Sequence, residues 1–426
     1  MKRILVLLTA ILVLFSACQE KESGASGASQ AGGGKLVVWS FTDELAGMIN
    51  TYYKADHPDV EIEYSLTPTE QFPNKLDPVL ASGQGAPDVF ALEDAFVRKY
   101  IESGLLLDIT DVYESNKHKL LAYPAEVGSY EGRVYGMSWQ ATPGALFYRR
   151  SLAQKYLGAD DPATVQTYFA DLQKFLETAA LLKEKSGGAC VVVASTGDLL
   201  KPFQGARRDP WVVNDQLVID PAMEQYMEVA KLLHDRGYEG RAAQWSEGWF
   251  AGMQGVLKDE QGRGVEVFSY FLPTWGLHYV LKTNAPDTSG DWAMIPGPAS
   301  YRWGGTWIGA WKNTKNPEAA KELIRYLTTD DDFLERYAKD SGDLVDNITV
   351  LDKIKDTYAE PFLGGQNHYA EFAEMAKTVD GKLTQGTDQA IEGIFNEAVT
   401  AYMNGEKSKD LALSDFRAQV KAQLDI

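Results

Sequence analysis

The sequence predicts an α/β protein of two domains, with doubly wound, mainly parallel sheets. Three observations predict it. The chain has 426 residues, more than one ordinary hydrophobic core fills. Its first part alternates short β-branched runs with amphipathic helical runs, and parallel strands need such crossover helices. Finally, "VYGMSWQATPGALFYRR" (134–150) is strand-like but interrupted by Thr142-Pro143-Gly144, a change of direction between lobes.

The elements follow in order. "KLVVW" (35–39) reads as a buried strand, followed by a helix with Leu45, Met48, Ile49 and Tyr52 on one face. "VEIEY" (60–64) alternates as a strand, a helix covers 70–81, "PDVFAL" (87–92) is the third strand and 95–101 a helix. Beyond residue 150 come helical patterns over 164–185, the strand "CVVVA", and a helix over 221–235. The aromatic zone 243–255, the run "EVFSYFLPTWG" and the strand "TWIGAW" come next. Asn316 is an N-cap candidate with Pro317 at the first helical position. Ala319, Ala320, Leu323, Ile324 and Leu327 form that helix's apolar face. In the last helical region Ile391, Ile394, Phe395 and Tyr402 share a side, and Gly405 is the stop.

The N-terminus is a targeting segment. "MKR" precedes twelve apolar residues (4–15), too few for the ~20 of a membrane-spanning helix. "SAC" (16–18) follows, so residues 1–17 read as an export signal. It resembles a bacterial lipoprotein signal with Cys18 as the lipidated residue; an ordinary signal peptide cut near Ala17 is the alternative. Residues 19–34 are rich in Gly, Ser and Ala and read as a flexible tether, with a reach of about 20–24 Å.

The formal net charge of −19 argues against nucleic acid or anionic lipid headgroups as partners of the globular body. With Cys18 and Cys190 the only cysteines, an internal disulfide framework is not expected, and Cys190 reads as a buried thiol. No His-Glu-x-x-His, Gly-x-Ser-x-Gly or phosphate-loop signature is present, so neither an enzyme nor a cofactor or metal is expected.

"YRWGGTWIGAW" (301–311) holds three tryptophans and three glycines. In one continuous strand Trp303, Trp307 and Trp311 would share a face. The Gly304-Gly305 pair instead separates Trp303 from the strand that follows. Trp303 and the glycine backbone are then expected at a ligand cleft, and Trp307 and Trp311 in packing.

The order of lipoprotein signal, tether, "KLVVWSFTDELAGMINTYYKADHPDVEIEY", "KLDPVLASGQGAPDVFALEDAFVRKYIESGLLLDIT", "YGMSWQATPGALFYRRSL" and "GGTWIGAWKNTKNPEAAKELIRYLTTDDDF" resembles the extracellular solute-binding proteins of carbohydrate ABC importers, the maltose- and multiple-sugar-binding group nearest. The resemblance implies a periplasmic-binding-protein fold, each lobe doubly wound, joined by a hinge that the chain crosses three times. The crossings are expected near 137–142, 296–303 and 342–347. Gly342-Asp343-Leu344-Val345 departs from the Gly-x-x-Pro that relatives often carry at the third. The expected lobes are 35–139 plus 302–344 and 140–301 plus 345–426. The resemblance further implies a carbohydrate ligand, ABC transporter permease subunits as partners, a monomer, and an exported lipoprotein held to the membrane at Cys18, periplasmic or on the cell surface.

Sugar sites combine hydrogen-bonding groups for hydroxyls with aromatic faces for C–H patches. Asp43 and Glu44 end the first strand; Asp43 is either a ligand or a helix cap. Asp94 matches a family carboxylate by position, and Glu93 reads as its solvated neighbour. Trp139 and Gln140 lie on the first crossing, facing ligand or packing beneath the hinge. Trp275 matches a family stacking tryptophan on a loop flanked by Pro273 and Gly276. Trp245 and Trp249 would share a helical face, with Trp249 the one expected in the cleft. Trp211, Trp303, Gly304 and Gly305 complete the candidates. Other readings are a polyamine or other organic cation held by carboxylates and aromatics, a uronate paired with Arg207-Arg208, a glycoside-active enzyme with opposed carboxylates, and an adhesin.

Overall fold

The computed structural model describes residues 35–426. The signal segment, Cys18 and the tether lie outside the described residues. Strands in chain order are β1 (Leu36–Ser40), β2 (Ile62–Leu66), β3 (Val89–Glu93), β4 (Ser129–Tyr130), β5 (Arg133–Val134), β6 (Gly136–Ser138), β7 (Gly144–Arg149), β8 (Cys190–Val193), β9 (Val212–Val213), β10 (Gln216–Leu217), β11 (Glu266–Pro273), β12 (Trp292–Ile295) and β13 (Thr306–Ala310). Two sheets dominate, ordered β2-β1-β3-β13-β6 and β12-β7-β11-β8.

The central strands β3, β13, β7 and β11 are buried on both faces, as a doubly wound fold requires, while the edge strand β2 is part-exposed. In β3, Val89 and Ala91 enter one core cluster, while Phe90 and Leu92 enter another with Phe72, Leu76 and Trp307. In β11, Tyr270 and Leu272 face the first of these clusters, while Phe268 and Phe271 pack in a third with Leu146 and Tyr148. The cluster shared by the two sheets runs through Trp139, Ala141, Leu344 and Val345, so one core is continuous beneath both lobes.

The expectation of mainly parallel sheets is corrected. β1 pairs parallel with β2 and β3, but β13 runs antiparallel to both β3 and β6. In the second sheet only β11–β8 is parallel; β7 is antiparallel to β11 and β12. The antiparallel neighbours are the strands that border passages between sheets. A strand arriving from the other sheet needs no crossover helix and can enter in the opposite sense.

The chain leaves β6 and enters β7 through residues 139–143, and leaves β12 and enters β13 through 296–305. A third passage, residues 342–347, joins helix Asp331–Ser341 to helix Ile348–Ile354. These passages hydrogen-bond to one another. Ala141 N donates to Leu344 O at 2.8 Å and Asp346 N to Trp139 O at 2.9 Å. Gly144 N donates to Tyr301 O at 2.8 Å and Trp303 N to Thr142 O at 3.2 Å.

Local signals behave as their chemistry dictates, with two differences. Helix Pro221–Arg236 starts on Asp220, whose carboxylate accepts from Ala222 N at 2.8 Å, and ends at Gly237 with φ +60°. Helix Pro317–Thr329 begins as expected, yet Asn316 does not cap it through its side chain. That amide is turned towards Lys35 O and Asp88 Oδ1 at 3.5 and 3.4 Å. Trp275 stands not on a loop but in a helical turn, Thr274–Gly276, directly after β11. Pro273 closes the strand and Thr274 Oγ1 anchors the turn to Ala141 O at 3.1 Å.

Candidate functional site

A cavity of about 350 Å³ lies where the two lobes meet. The first lobe contributes Glu93, Asp94 and Ala95, at the carboxyl end of β3. The second contributes Lys201, Gln204 and Arg207, in and after the helix Leu200–Gly205 that follows β8. Residues 300–304 of the second passage form its base, and residues 378–396 close another side. This is the strand-end position at which open α/β sheets bind ligands.

Asp94 is tied into the passage. Its N–H donates to Gly305 O at 3.1 Å, and its Oδ1 accepts from the Arg302 guanidinium. Arg302 also donates to Thr384 Oγ1 at 2.7 Å, which links β3, the passage and the 378–396 segment. Burial works against the Arg302 charge, but Asp94 more than offsets this and raises its pKa. Glu93 is not the solvated neighbour expected. It is half-buried, its Oε2 accepts from Ala95 N at 2.7 Å, and burial first, then the Asp94 charge, pushes its pKa up to about 7. Lys201 pairs with Glu392 at 3.6 Å and Arg207 with Asp388 at 4.0 Å. Burial raises Asp388 to about 7.

The double glycine does what its composition suggests. Gly304 and Gly305 have φ of +69° and +121°, backbone that only glycine adopts at little cost. A Cβ on Gly304 would stand 3.0 Å from Trp275 Nε1. Trp303 lines the cavity. Its carbonyl accepts from Trp275 Nε1 at 2.9 Å, and the two rings meet edge to face with centroids 5.5 Å apart. Trp245 adds a third ring, 6.2 Å from Trp275 with planes 9° apart and 5.9 Å from Trp303.

Other candidates fall elsewhere. Trp249 is fully buried, its Nε1 donating to Asp198 Oδ1 at 3.0 Å, while Trp245 is 50% exposed. Trp249 is core and not in the cavity lining, nor does Trp245 line the cavity; the helix begins only at Glu247. Trp245 precedes its Ser246 cap at φ +69°, an uncommon backbone for a tryptophan, so the two residues share no helical face. Trp211 is core, packed on Phe395 and Phe416 with ring centroids 5.2 and 5.9 Å away. Trp139 and Gln140 are buried in the first passage, beneath the hinge. Asp43 is exposed and its side chain makes no cap bond. Glu44 accepts from the Tyr337 hydroxyl and from Tyr279 at 3.3 Å, away from the cavity-lining set. Thus Asp94, Trp303 and Gly304 line the cavity, with Trp275 and Gly305 directly behind them. Arg302, Lys201 and Gln204 line it too; only the neighbouring Trp303 and the glycine pair mark the stretch around Arg302 in the sequence.

Two lobes with a polar, tryptophan-edged cavity between them define a binding protein for a small solute. The chain matches the bacterial extracellular solute-binding protein family over residues 48–359, and it belongs to that family. It is 23% identical over 389 residues to the lactose-binding protein of Rhizobium radiobacter, covering 85% of this chain and 87% of that one. It is 22% identical to the arabinooligosaccharide-binding protein of Halalkalibacterium halodurans, covering 72% of this chain and 69% of that one. Among solved structures, an extracellular solute-binding protein of family 1 superposes with a TM-score of 0.78 at 20% identity, covering 90% of this chain and 97% of that one. A binding protein from B. animalis subsp. lactis in complex with β-1,6-galactobiose superposes with a TM-score of 0.69 at 19% identity, covering 91% and 96%.

Proposed function

We propose that this protein captures a sugar or short oligosaccharide in the cavity between its lobes and delivers it to the permease of an ABC importer. The observation that carries this reading is the cavity itself: ionised and amide groups at strand ends, with Trp303 at its base and Trp275 and Trp245 stacked behind it. Such a wall pairs with sugar C–H faces while the polar groups take the hydroxyls. Asp94 Oδ2 makes no hydrogen bond among the described residues and is the natural acceptor for a hydroxyl. The curated relatives are named as binders of lactose and arabinooligosaccharides, which supports the same ligand class here.

The lobe boundaries follow as 35–139 plus 302–344 and 140–301 plus 345–426, with the three hydrogen-bonded passages as the hinge. We assign Cys18 as the lipidated residue that moors a monomeric, exported protein to the membrane. A Cys18→Ser variant that stays with the membrane fraction contradicts the anchor. A melting-temperature panel of lactose, arabinotriose, maltotriose, galactobiose and putrescine tests the ligand class, because binding to the native state raises the midpoint. The expected result is a rise with at least one sugar and none with putrescine. A rise with putrescine alone would replace the sugar by an organic cation.

A further inference from the structure

The charges that line the cavity do not balance. Its three cations are all committed: Arg302 to Asp94, Lys201 to Glu392 and Arg207 to Asp388. Two carboxylates remain, Glu93 and Asp380, and neither has an ion-pair partner among the described residues. Glu93 Oε1 makes no hydrogen bond there either, while Oε2 is held by Ala95 N at 2.7 Å. The side chain is therefore fixed at one oxygen and open at the other. We propose that the cavity selects a sugar carrying a free ammonium group over its uronate counterpart, and that Glu93 is the residue that reads this charge. The proposal rests on the reading of the cavity as a sugar site.

Two lining residues carry a buried donor without a partner: Gln204, whose neutral Nε2 reads no charge, and Arg207, whose Nη1 argues for the opposite preference. That atom is shut away from the cavity, however. The guanidinium lies over the Trp211 ring at 5.3 Å, and the side chain keeps only 6% of its exposure. An incoming carboxylate would have to take a cation from an existing pair, leaving a carboxylate uncompensated in a half-buried site, and it would meet Glu93 and Asp380 as well. An ammonium group would instead give Glu93 the partner it lacks. The titratable and charged groups around Glu93 are Asp94, Arg302 and Lys201, with Asp388, Glu392 and Arg207 further along the wall. Burial first, then the Asp94 charge, raises the Glu93 pKa to about 7, with the Ala95 hydrogen bond, Lys201 and Arg302 working against the rise. An ammonium ligand favours the ionised form, so its binding expels the Glu93 proton, and affinity rises as pH rises towards 7.

Titration calorimetry with two matched sets tests the proposal: glucose, glucosamine and glucuronate, and galactose, galactosamine and galacturonate. In whichever configuration binds, the amino sugar is expected to bind at least about tenfold more tightly than the neutral sugar, with the uronate weakest, since hydrogen bonds to charged groups are the stronger kind. In the wild type this amine-to-neutral ratio should grow several-fold between pH 5.5 and 7. In Glu93→Gln it should collapse towards one and lose its pH dependence. A uronate that binds as well as the neutral sugar overturns the proposal, and so does an amine preference that Glu93→Gln leaves intact. The wild-type pH series needs no variant to fold and decides the matter if Glu93→Gln does not. Failure of all six sugars to bind overturns the proposal and leaves the sugar reading to the melting-temperature panel, whereas binding of neutral sugars without charge preference overturns only the role of Glu93.

Discussion

Trp245 carries a half-exposed ring on a left-handed backbone, four residues before a tryptophan with no exposure at all. Helical spacing made them equivalent, and the true helix start at Glu247 separates them. Trp303 was legible because a glycine pair beside a bulky ring has one economical explanation, a close approach of backbone. Arg302 and Glu93 were not, because a charged residue in a loop or at a strand end looks solvated until the fold shows what closes over it. A contrast of two rings tests the placement. Trp307 is buried in the first lobe, its Nε1 donating to Pro124 O at 2.8 Å. Trp307→Ala is expected to cost about 3–5 kcal/mol of stability, with sugar affinity little changed in the folded fraction. Trp245→Ala should do the reverse, lowering affinity about tenfold with a melting temperature within a few degrees of wild type, given that contacts with an aromatic face contribute about 0.5–1.5 kcal/mol. Melting curves and titration calorimetry on both variants check the pair. Unchanged affinity in Trp245→Ala would make the three-ring cluster a packing feature.

The third passage shows how an element can be placed by pattern while its chemistry stays hidden. Its position followed from the family order, but the missing proline said nothing of what replaces it. In the structure Gly342 O accepts from His278 Nε2 at 3.0 Å and His368 Nε2 at 3.3 Å, two histidines 90 residues apart in the chain. Gly342 takes φ +77°, with the His278 ring only 2.5 Å from where a Cβ would stand. Burial lowers both imidazoles to about 4, and the Lys282 ammonium beside His278 adds to the effect there. Between about 6.5 and 4 the unfolded chain binds protons that the folded histidines refuse, so this contribution is complete above the unfolded pKa and is lost as pH falls through that window. His278→Gln should therefore be less stable than wild type at pH 7, and the difference should narrow by pH 5. Thermal melts across that range check it; a difference independent of pH would mean that His278 titrates in the fold as it does in the unfolded chain.

For the whole molecule, most of the architecture was readable because alternating strands and helices leave few ways to bury both faces of a sheet. β1, β3, β8 and β13 appear within two residues of where the apolar runs put them. Strand direction was not readable at the passages, because it depends on which lobe the chain has just left. The same passages make the cavity, since residues 300–304 of the second form its base and Asp94 and Arg302 bridge from β3 to it. The most direct test is a crystal structure of the protein with the sugar that raises its melting temperature most. The account predicts that sugar between the lobes, against Trp303 and within hydrogen-bonding distance of Asp94 or Glu93. A sugar bound outside this cavity, with Trp303 and Asp94 untouched, would contradict it.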